Sequence, residues 1–407
     1  MTKRRSMLLL YSIIIAVVLG AASGWFMGED ALMFSWMGTL FLNALKMVVV
    51  PLIVAAIISG ISSLGDVRKL GKPGGITIIF FVLTMLSAAC VGMLIAWIIV
   101  PGGDFHLIAK ETLTSGTEKS ATLGDIMLGL ISPNIVASAA NLELLQLIVF
   151  SVIFGAALTV TGEKGRVVGD FFEGLNRVMM VIVGWIMYLS PFGIFALVAT
   201  PIAEAGGGDA IIDTFSAVGG YVLTVLSGLI IQSILLFVIL MFFAKRGLAY
   251  FKDVSPALLT AFSTSSSSAT VPLAMDLAEG SGLKKGPVRF VIPLGSTINM
   301  NGTAVYQGVA TVFLAQVYAI DVGASDYFII ALATALAAIG SAGIPQGGHI
   351  MTLMVFSIVG IPAEGFGLII TVDWFLDRSR TTINVWGDLV VAAVLNSFMI
   401  DESASID

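Results

Sequence analysis

Long apolar runs fix the fold class of this chain before any motif is read. Residues 6–27, 40–64, 76–100, 177–200 and 222–243 are each apolar over about the 20 residues that span a bilayer core. In lipid, backbone polar groups must be satisfied within the segment or around a closed barrel. The runs are continuous rather than alternating, which excludes a β-barrel and leaves helices. Charge agrees. Only 11% of the 407 residues are charged and the mean hydropathy is +1.02, too little charge to cover a soluble surface.

The placement of the 20 Lys and Arg orients the chain. With Lys3, Arg4 and Arg5 inside, the even-numbered crossings bring Arg68, Lys69 and Lys72 to the same side. Lys164 and Arg166 follow, then Lys245, Arg246 and Lys252. Lys284, Lys285 and Arg289 join them if the next segment turns back. Lys110 and Lys119 fall outside, and Lys46, Arg177, Arg378 and Arg380 lie within or at the ends of apolar segments. This asymmetry predicts a multi-pass inner-membrane protein with both termini cytoplasmic. Residues 7–18 run on into a full span, which argues against a cleaved leader. A single cysteine, Cys90, rules out an internal disulfide, and two histidines, His106 and His349, cannot build a His-based metal cluster. No basic face for nucleic acid exists.

Two apolar stretches in the second half are interrupted in a matching way. Residues 261–272 contain Ser-Thr-Ser-Ser-Ser-Ser-Ala-Thr, and residues 339–348 contain Gly-Ser-Ala-Gly-Ile-Pro-Gln-Gly-Gly. Both are poor at staying helical across a bilayer. Irregular backbone at membrane depth survives only where protein buries it or it lines a wet cavity. Both stretches are therefore expected to be tips of re-entrant helical hairpins, the first spanning 254–283. One hairpin opens inside, the other outside. Each precedes a helix with a polar stripe, which is the pattern of an inverted repeat around a transporter binding site. Two flexible loops in some other membrane protein are the plainer alternative.

The last span, residues 365–397, carries Asp373, Asp377, Arg378, Arg380, Asn384 and Asp388. Each central charge costs about 2.5–3.5 kcal/mol on insertion scales. Relative to Asp373, the offsets of Asp377, Arg380, Thr381, Asn384 and Asp388 confine them to an arc of roughly 100°. Arg378 lies off that arc, and Phe375, Leu376, Ile383 and Val390 form the apolar side. Arg380 can offer a fork to a ligand carboxylate, and Asp377, one turn away, can take an ammonium. Mutual ion pairing is the structural alternative. Asn384 and Asp388 offer hard oxygens suited to a small cation.

The segment Asp373-Trp374-Phe375-Leu376-Asp377-Arg378-Ser379-Arg380-Thr381-Thr382-Ile383-Asn384-Val385-Trp386-Gly387-Asp388 resembles the last helix of the dicarboxylate/amino acid:cation symporters, which include the excitatory amino acid transporters. The resemblance runs along nearly the whole chain. Lys46-Met47, Pro51-Leu52, Leu64-Gly65-Asp66-Val67-Arg68, the serine-rich tip, residues 299–303 and Ala342-Gly343-Ile344-Pro345 fit in order. It implies an all-α polytopic protein with eight transmembrane helices and two opposed re-entrant hairpins, working as a homotrimeric elevator-type carrier. Residues 1–72 (helices 1–2) and 103–205 (helices 4–5) would be the scaffold. Residues 73–102 (helix 3) and 206–400 (helices 6–8 with both hairpins) would move, and 401–407 would be a cytoplasmic tail.

The resemblance also assigns residues. Substrate would touch Ser265, Ser267, Met300, Thr303, Ile344, Gly348, Asp377, Arg380, Thr381 and Asn384. Arg380 would hold the side-chain carboxylate of aspartate or glutamate, and Asp377 the amino group. One sodium site would use carbonyls of Gly295, Asn299 and Asn384 with the Asp388 carboxylate. A second would use carbonyls of Thr297, Ala338, Ile339 and Ser341. A third normally needs an aspartate where this chain has Asn301. On the third helix, Phe81, Thr84 and Met85 leave only the threonine. That site is expected to be weak or absent, with fewer coupled cations. Sodium is the implied coupling ion, with protons as rival or addition. Gln307 replaces a protonatable glutamate of the animal branch, so potassium counter-transport is not expected.

Other functions leave distinguishable marks. An intramembrane serine protease could use residues 265–268 but needs a base, and no histidine is expected in a suitable helix. An ion channel could share the polar face, although two opposed tips favour an occluding gate. Carriers of neutral amino acids or C4-dicarboxylates would share the fold.

Overall fold

The computed structural model describes residues 3–62, 71–103, 130–204, 210–341 and 348–404. The charged connection at 64–68, the polar loop after the third span with His106, and Ile344 in the second tip lie outside the described residues. Among the described residues there are fifteen α-helices and no strand. In chain order they begin with α1 (Lys3–Met27), α2 (Ser35–Ser62) and α3 (Gly71–Ile99). The apolar region interrupted at Ser132-Pro133-Asn134 gives α4 (Ile135–Ala140) and α5 (Leu144–Thr161). Asn134 sets the start of α4: its Oδ1 accepts from the Val136 and Ala137 amides at 3.1 and 3.2 Å, as an N-cap does. α6 (Arg166–Ile186), α7 (Ser190–Glu204) and α8 (Ala210–Ala244) follow.

The second half is more broken. α9 (Leu248–Thr264) and α10 (Ser267–Gly280) are packed together and joined by two residues. Ser265 turns the chain with φ of 51°, and Ser266 starts α10 by accepting the Ala269 amide at 3.2 Å. α11 (Lys285–Ile298) and α12 (Asn301–Val317) are separated only by Asn299 and Met300. α13 (Ala324–Gly340) and α14 (His349–Val359) also pack together. α15 (Phe366–Ala404) closes the chain. It is longer than expected. Residues 401–404, expected as a tail, continue the helix, because adding a residue to an existing helix costs little compared with starting one.

Among the described residues, five continuous stretches are long and apolar enough to cross a membrane: Tyr11–Ser62, Pro73–Ile99, Gln146–Thr200, Ser216–Ala244 and Ala363–Met399. The first and third, at 52 and 55 residues, hold more than one crossing each. Phe26 and Phe242, 84% and 77% exposed, typify an outer surface that suits lipid rather than water. The protein is an all-helical, multi-pass membrane protein.

Packing sorts the helices into two groups. α2 contacts α5, α6 and α7, and α1 lies on α7. Separately, α15 contacts α8, α9, α10, α11 and α12, while α3 lies on α8 and α12. The polar helix is at the centre of the second group. Across 18 apolar residues of this helix 72% are buried, against 33–50% in the other four stretches.

Candidate functional site

The break between α11 and α12 is where the site begins. Asn299 and Met300 leave the helical region, with ψ of 65° and 63°. Asparagine side chains compete with the helix for its own backbone groups, and here the competition is resolved across helices. Asn384 of α15 accepts the Gly302 and Thr303 amides at 2.7 and 3.3 Å, capping α12 from outside. Its Nδ2 donates to Met300 Sδ at 3.2 Å and Thr303 Oγ1 at 3.4 Å. A side chain at Gly302 would meet the Arg380 carbonyl at 2.2 Å, so only glycine lets α12 and α15 approach this closely.

Every member of the predicted polar arc is buried: Asp373, Asp377, Arg380, Thr381, Asn384 and Asp388. Arg380 Nη2 donates to Asp373 at 3.1 Å and to Asp377 Oδ1 at 2.8 Å. The guanidinium lies over the Tyr306 ring, 3.9 Å from its centroid. The ion pairing considered from sequence is thus present, but it uses one nitrogen. Among the described residues, Nε and Nη1 have no hydrogen-bond partner. Nη1 faces the second tip: a Cβ on Gly348 would lie 4.0 Å from it and 3.4 Å from Thr303 Cγ2. Thr381 Oγ1 turns back to the Asp377 carbonyl at 2.7 Å.

Arg378 reaches the other tip. Its Nη1 donates to the Phe262 and Ser263 carbonyls at 3.2 and 3.0 Å, the last turn of α9, where a cation suits the helix end. This tie and the α10–α15 contact hold the serine-rich tip against the polar helix. Ser265 and Ser267 are both largely buried there.

Below Asn384 lies a second polar cluster. Asp388 is buried and forms no ion pair among the described residues; Asn299 Nδ2 donates to its Oδ1 at 3.0 Å. A Cβ at Gly295 would lie 2.2 Å from that oxygen, so glycine there lets the carboxylate rest on α11. The Gly295 carbonyl accepts the Asn299 amide at 2.8 Å. Asn301 Nδ2 donates to Asn299 Oδ1 at 2.9 Å, and Thr84 Oγ1 reaches the same oxygen at 3.2 Å. Gln232 of α8 completes the network, donating to the Thr84 carbonyl at 3.1 Å, Ser87 Oγ at 3.3 Å and Asn301 Oδ1 at 3.4 Å. Phe81 and Met85 are buried beside Thr84 on α3. Thr297 is on α11 and Ala338, Ile339 and Ser341 lie at the end of α13; these two helices touch. The Ser341 amide donates to the Ala338 carbonyl at 3.2 Å.

Sequence reasoning missed three participants. Gln232 was legible as a lone amide inside an apolar run, since a buried amide must find partners. Tyr306 carried no signal beyond its place one turn after Thr303. His349, expected beside a tip and outside any helix, is instead the first residue of α14, buried, and bonded through Nε2 to Asp373 Oδ2. The segment before it is apolar and glycine-rich, which hid the helix start.

A broken helix facing a buried, charged helix suits a carrier, and the match to known proteins agrees. The model of the sodium:dicarboxylate symporter family covers residues 9–398. The chain belongs to that family. It is similar to excitatory amino acid transporter 3 of Oryctolagus cuniculus, 33% identical over 98% of this chain and 87% of the relative. It is 32% identical to the proton/sodium-glutamate symport protein of Bacillus subtilis (strain 168), covering 95% of this chain and 91% of the relative. The neutral amino acid transporter B(0) of Bos taurus is 33% identical, over 97% and 81% respectively. The family is one of symporters, not enzymes, so the serine-rich tip of this family member is no protease nucleophile.

Proposed function

We propose that this symporter takes up aspartate or glutamate together with sodium. The observation that carries the reading is Arg380: fully buried, held by two carboxylates through one nitrogen, with Nε and Nη1 left for a ligand. A buried guanidinium with idle donors is costly unless something fills them. A ligand carboxylate between Gly348, Thr303 and Arg380 would do so, and its ammonium would lie against Asp377. A neutral amino acid leaves Nε and Nη1 of the guanidinium idle, and a plain dicarboxylate brings no ammonium to Asp377. Those are the two rival substrate classes, and one relative is named for neutral amino acids.

Sodium fits Asp388. A buried carboxylate with one amide partner needs a compensating cation, and the Gly295, Asn299 and Asn384 carbonyls are the proposed co-ligands. The third cation position is disfavoured, because amide N–H groups of Asn301 and Gln232 are aimed where a cation would need oxygens. The carbonyls of Thr297, Ala338, Ile339 and Ser341 would form the second site.

The transport cycle follows from the packing. Residues 1–72 and 103–205 would stay still, and 73–102 and 206–400 would move as an elevator. The two packed pairs, α9–α10 and α13–α14, would be re-entrant, and the second, with Ile344, would gate the outside. Counting α11–α12 as one broken span gives eight crossings, with both termini cytoplasmic, in an inner-membrane homotrimer. Uptake of labelled aspartate, glutamate, serine and succinate into proteoliposomes, under sodium and proton gradients imposed separately, tests the reading. Acidic amino acids should enter with sodium. Preference for serine or succinate would overturn the substrate assignment, and indifference to sodium would overturn the coupling.

A further inference from the structure

We propose that His349 is a proton-binding site, and that it binds a proton together with the acidic substrate. The inference rests on the substrate reading above. Its imidazole opens α14 and is buried, packed edge-on against Phe366 with ring centroids 5.4 Å apart. Nε2 is bonded to Asp373 Oδ2, while Nδ1 has no partner among the described residues. A carboxylate on one nitrogen fixes an imidazole's tautomer and orientation, leaving the other nitrogen as the proton acceptor. The lone pair on Nδ1 is left open to accept a proton.

Charge balance gives an independent reason. Asp373 and Asp377 share one cation, Arg380, through its Nη2. Among the described residues the cluster therefore sets two carboxylates against one guanidinium, a surplus of one negative charge. An acidic amino acid, with net charge of minus one, would double that surplus. An imidazolium at His349 cancels one charge where the excess is greatest. Tyr306 of α12 lies with its ring under the guanidinium and also stands beside Asp373, through a neutral phenol that brings no charge. Among the described residues, Lys46 on α2, Asp326 and Tyr327 on α13, and Glu364 before α15 make no bond to the cluster.

The same contact links the proton to the ligand. Asp373 Oδ2 accepts from both His349 and Arg380. A protonated His349 gives Asp373 a cation of its own, so Arg380 is held by Asp377 alone and can lean toward a ligand carboxylate.

Linkage supplies the test. If one proton is bound with each aspartate, the aspartate Kd falls tenfold per unit drop in pH across the coupled range. Calorimetric titration of the full-length protein with aspartate in sodium chloride, in buffers of different ionisation enthalpy, counts that proton. We expect about one per aspartate for the wild type and none for His349→Gln, whose amide can still bond Asp373. With only two histidines in the chain, ¹⁵N-histidine spectra of the His106→Gln protein isolate the His349 ring. That ring should become doubly protonated when aspartate is added near pH 7. Aspartate binding with no proton uptake, an unaltered proton count in His349→Gln, or a ring that stays neutral overturns the proposal. A wild type that binds no aspartate in sodium overturns the substrate reading instead.

Discussion

Replacing Arg380 by lysine separates the pocket's structural charge from its ligand-binding donors. The guanidinium does two jobs. Nη2 satisfies Asp373 and Asp377, at 3.1 and 2.8 Å, while Nε and Nη1 are idle. A lysine ammonium has a single nitrogen, and the strongest position for it is where Nη2 now lies, between the two carboxylates. The buried charge stays compensated, so the penalty of about 3–5 kcal/mol for stranding a buried ion is avoided. What is lost is the planar fork. Removing one side of a buried, hydrogen-bonded charge pair costs about 2–5 kcal/mol. At ~1.4 kcal/mol per factor of ten, the aspartate Kd should rise from roughly 30-fold to several thousandfold. The melting temperature without ligand should stay within a few degrees of wild type. Titration calorimetry in saturating sodium measures the first quantity and a thermal melt in detergent the second. A Kd within threefold of wild type would show that the idle donors do not meet the ligand, and the substrate assignment would fall.

Two further substitutions probe the cation sites. Gly295→Ala puts a carbon 2.2 Å from Asp388 Oδ1 and must push the carboxylate away; half-saturation of aspartate uptake should need at least tenfold more sodium, and an unchanged sodium curve would remove Asp388 from the site. Asn301→Asp turns a donor 2.9 Å from Asn299 Oδ1 into a facing acceptor, which invites a cation; the sodium-to-aspartate flux ratio should rise by one, and an unaltered ratio would show the third position is closed for another reason.

Much of this was legible in the chain because lipid leaves few options. Apolar runs had to become helices, and the arc from Asp373 to Asp388 had to face protein, which its burial bears out. Residues 299–303 were visible as a polar stripe, but the residues themselves did not mark the break at Asn299 and Met300. Contacts between distant segments were harder to read. Gln232 is separated by 69 residues from Asn301, and Arg378 by 115 from Ser263; neither spacing carries a periodic signal. Tertiary pairing also decided what Asn384 does. Its oxygen type suggested a ligand, yet its side chain caps α12, a role that needs the broken helix opposite before it can be inferred.

Charge balance connects the site to the membrane it must cross. The buried polar face holds three carboxylates, Asp373, Asp377 and Asp388, against one guanidinium, Arg380. Arg378 is only partly buried and is tied to α9 carbonyls. Among the described residues this buried face thus carries two surplus negative charges, and an acidic amino acid makes three. Each uncompensated charge costs several kcal/mol in a low-dielectric interior. Two sodium ions and the proton on His349 bring the loaded core to neutrality, and the eroded third cation position needs no occupant. This composition fixes the current. Two sodium ions and one proton moving with one net-negative aspartate carry two positive charges inward. Without the proton, they carry one. Reversal potentials in proteoliposomes at pH 7, combined with labelled sodium and aspartate fluxes, count both quantities. The expected result is two charges and two sodium ions per aspartate. Two charges with three sodium ions would leave no room for the proton, and one charge with two sodium ions would mean that the loaded core crosses with a net charge.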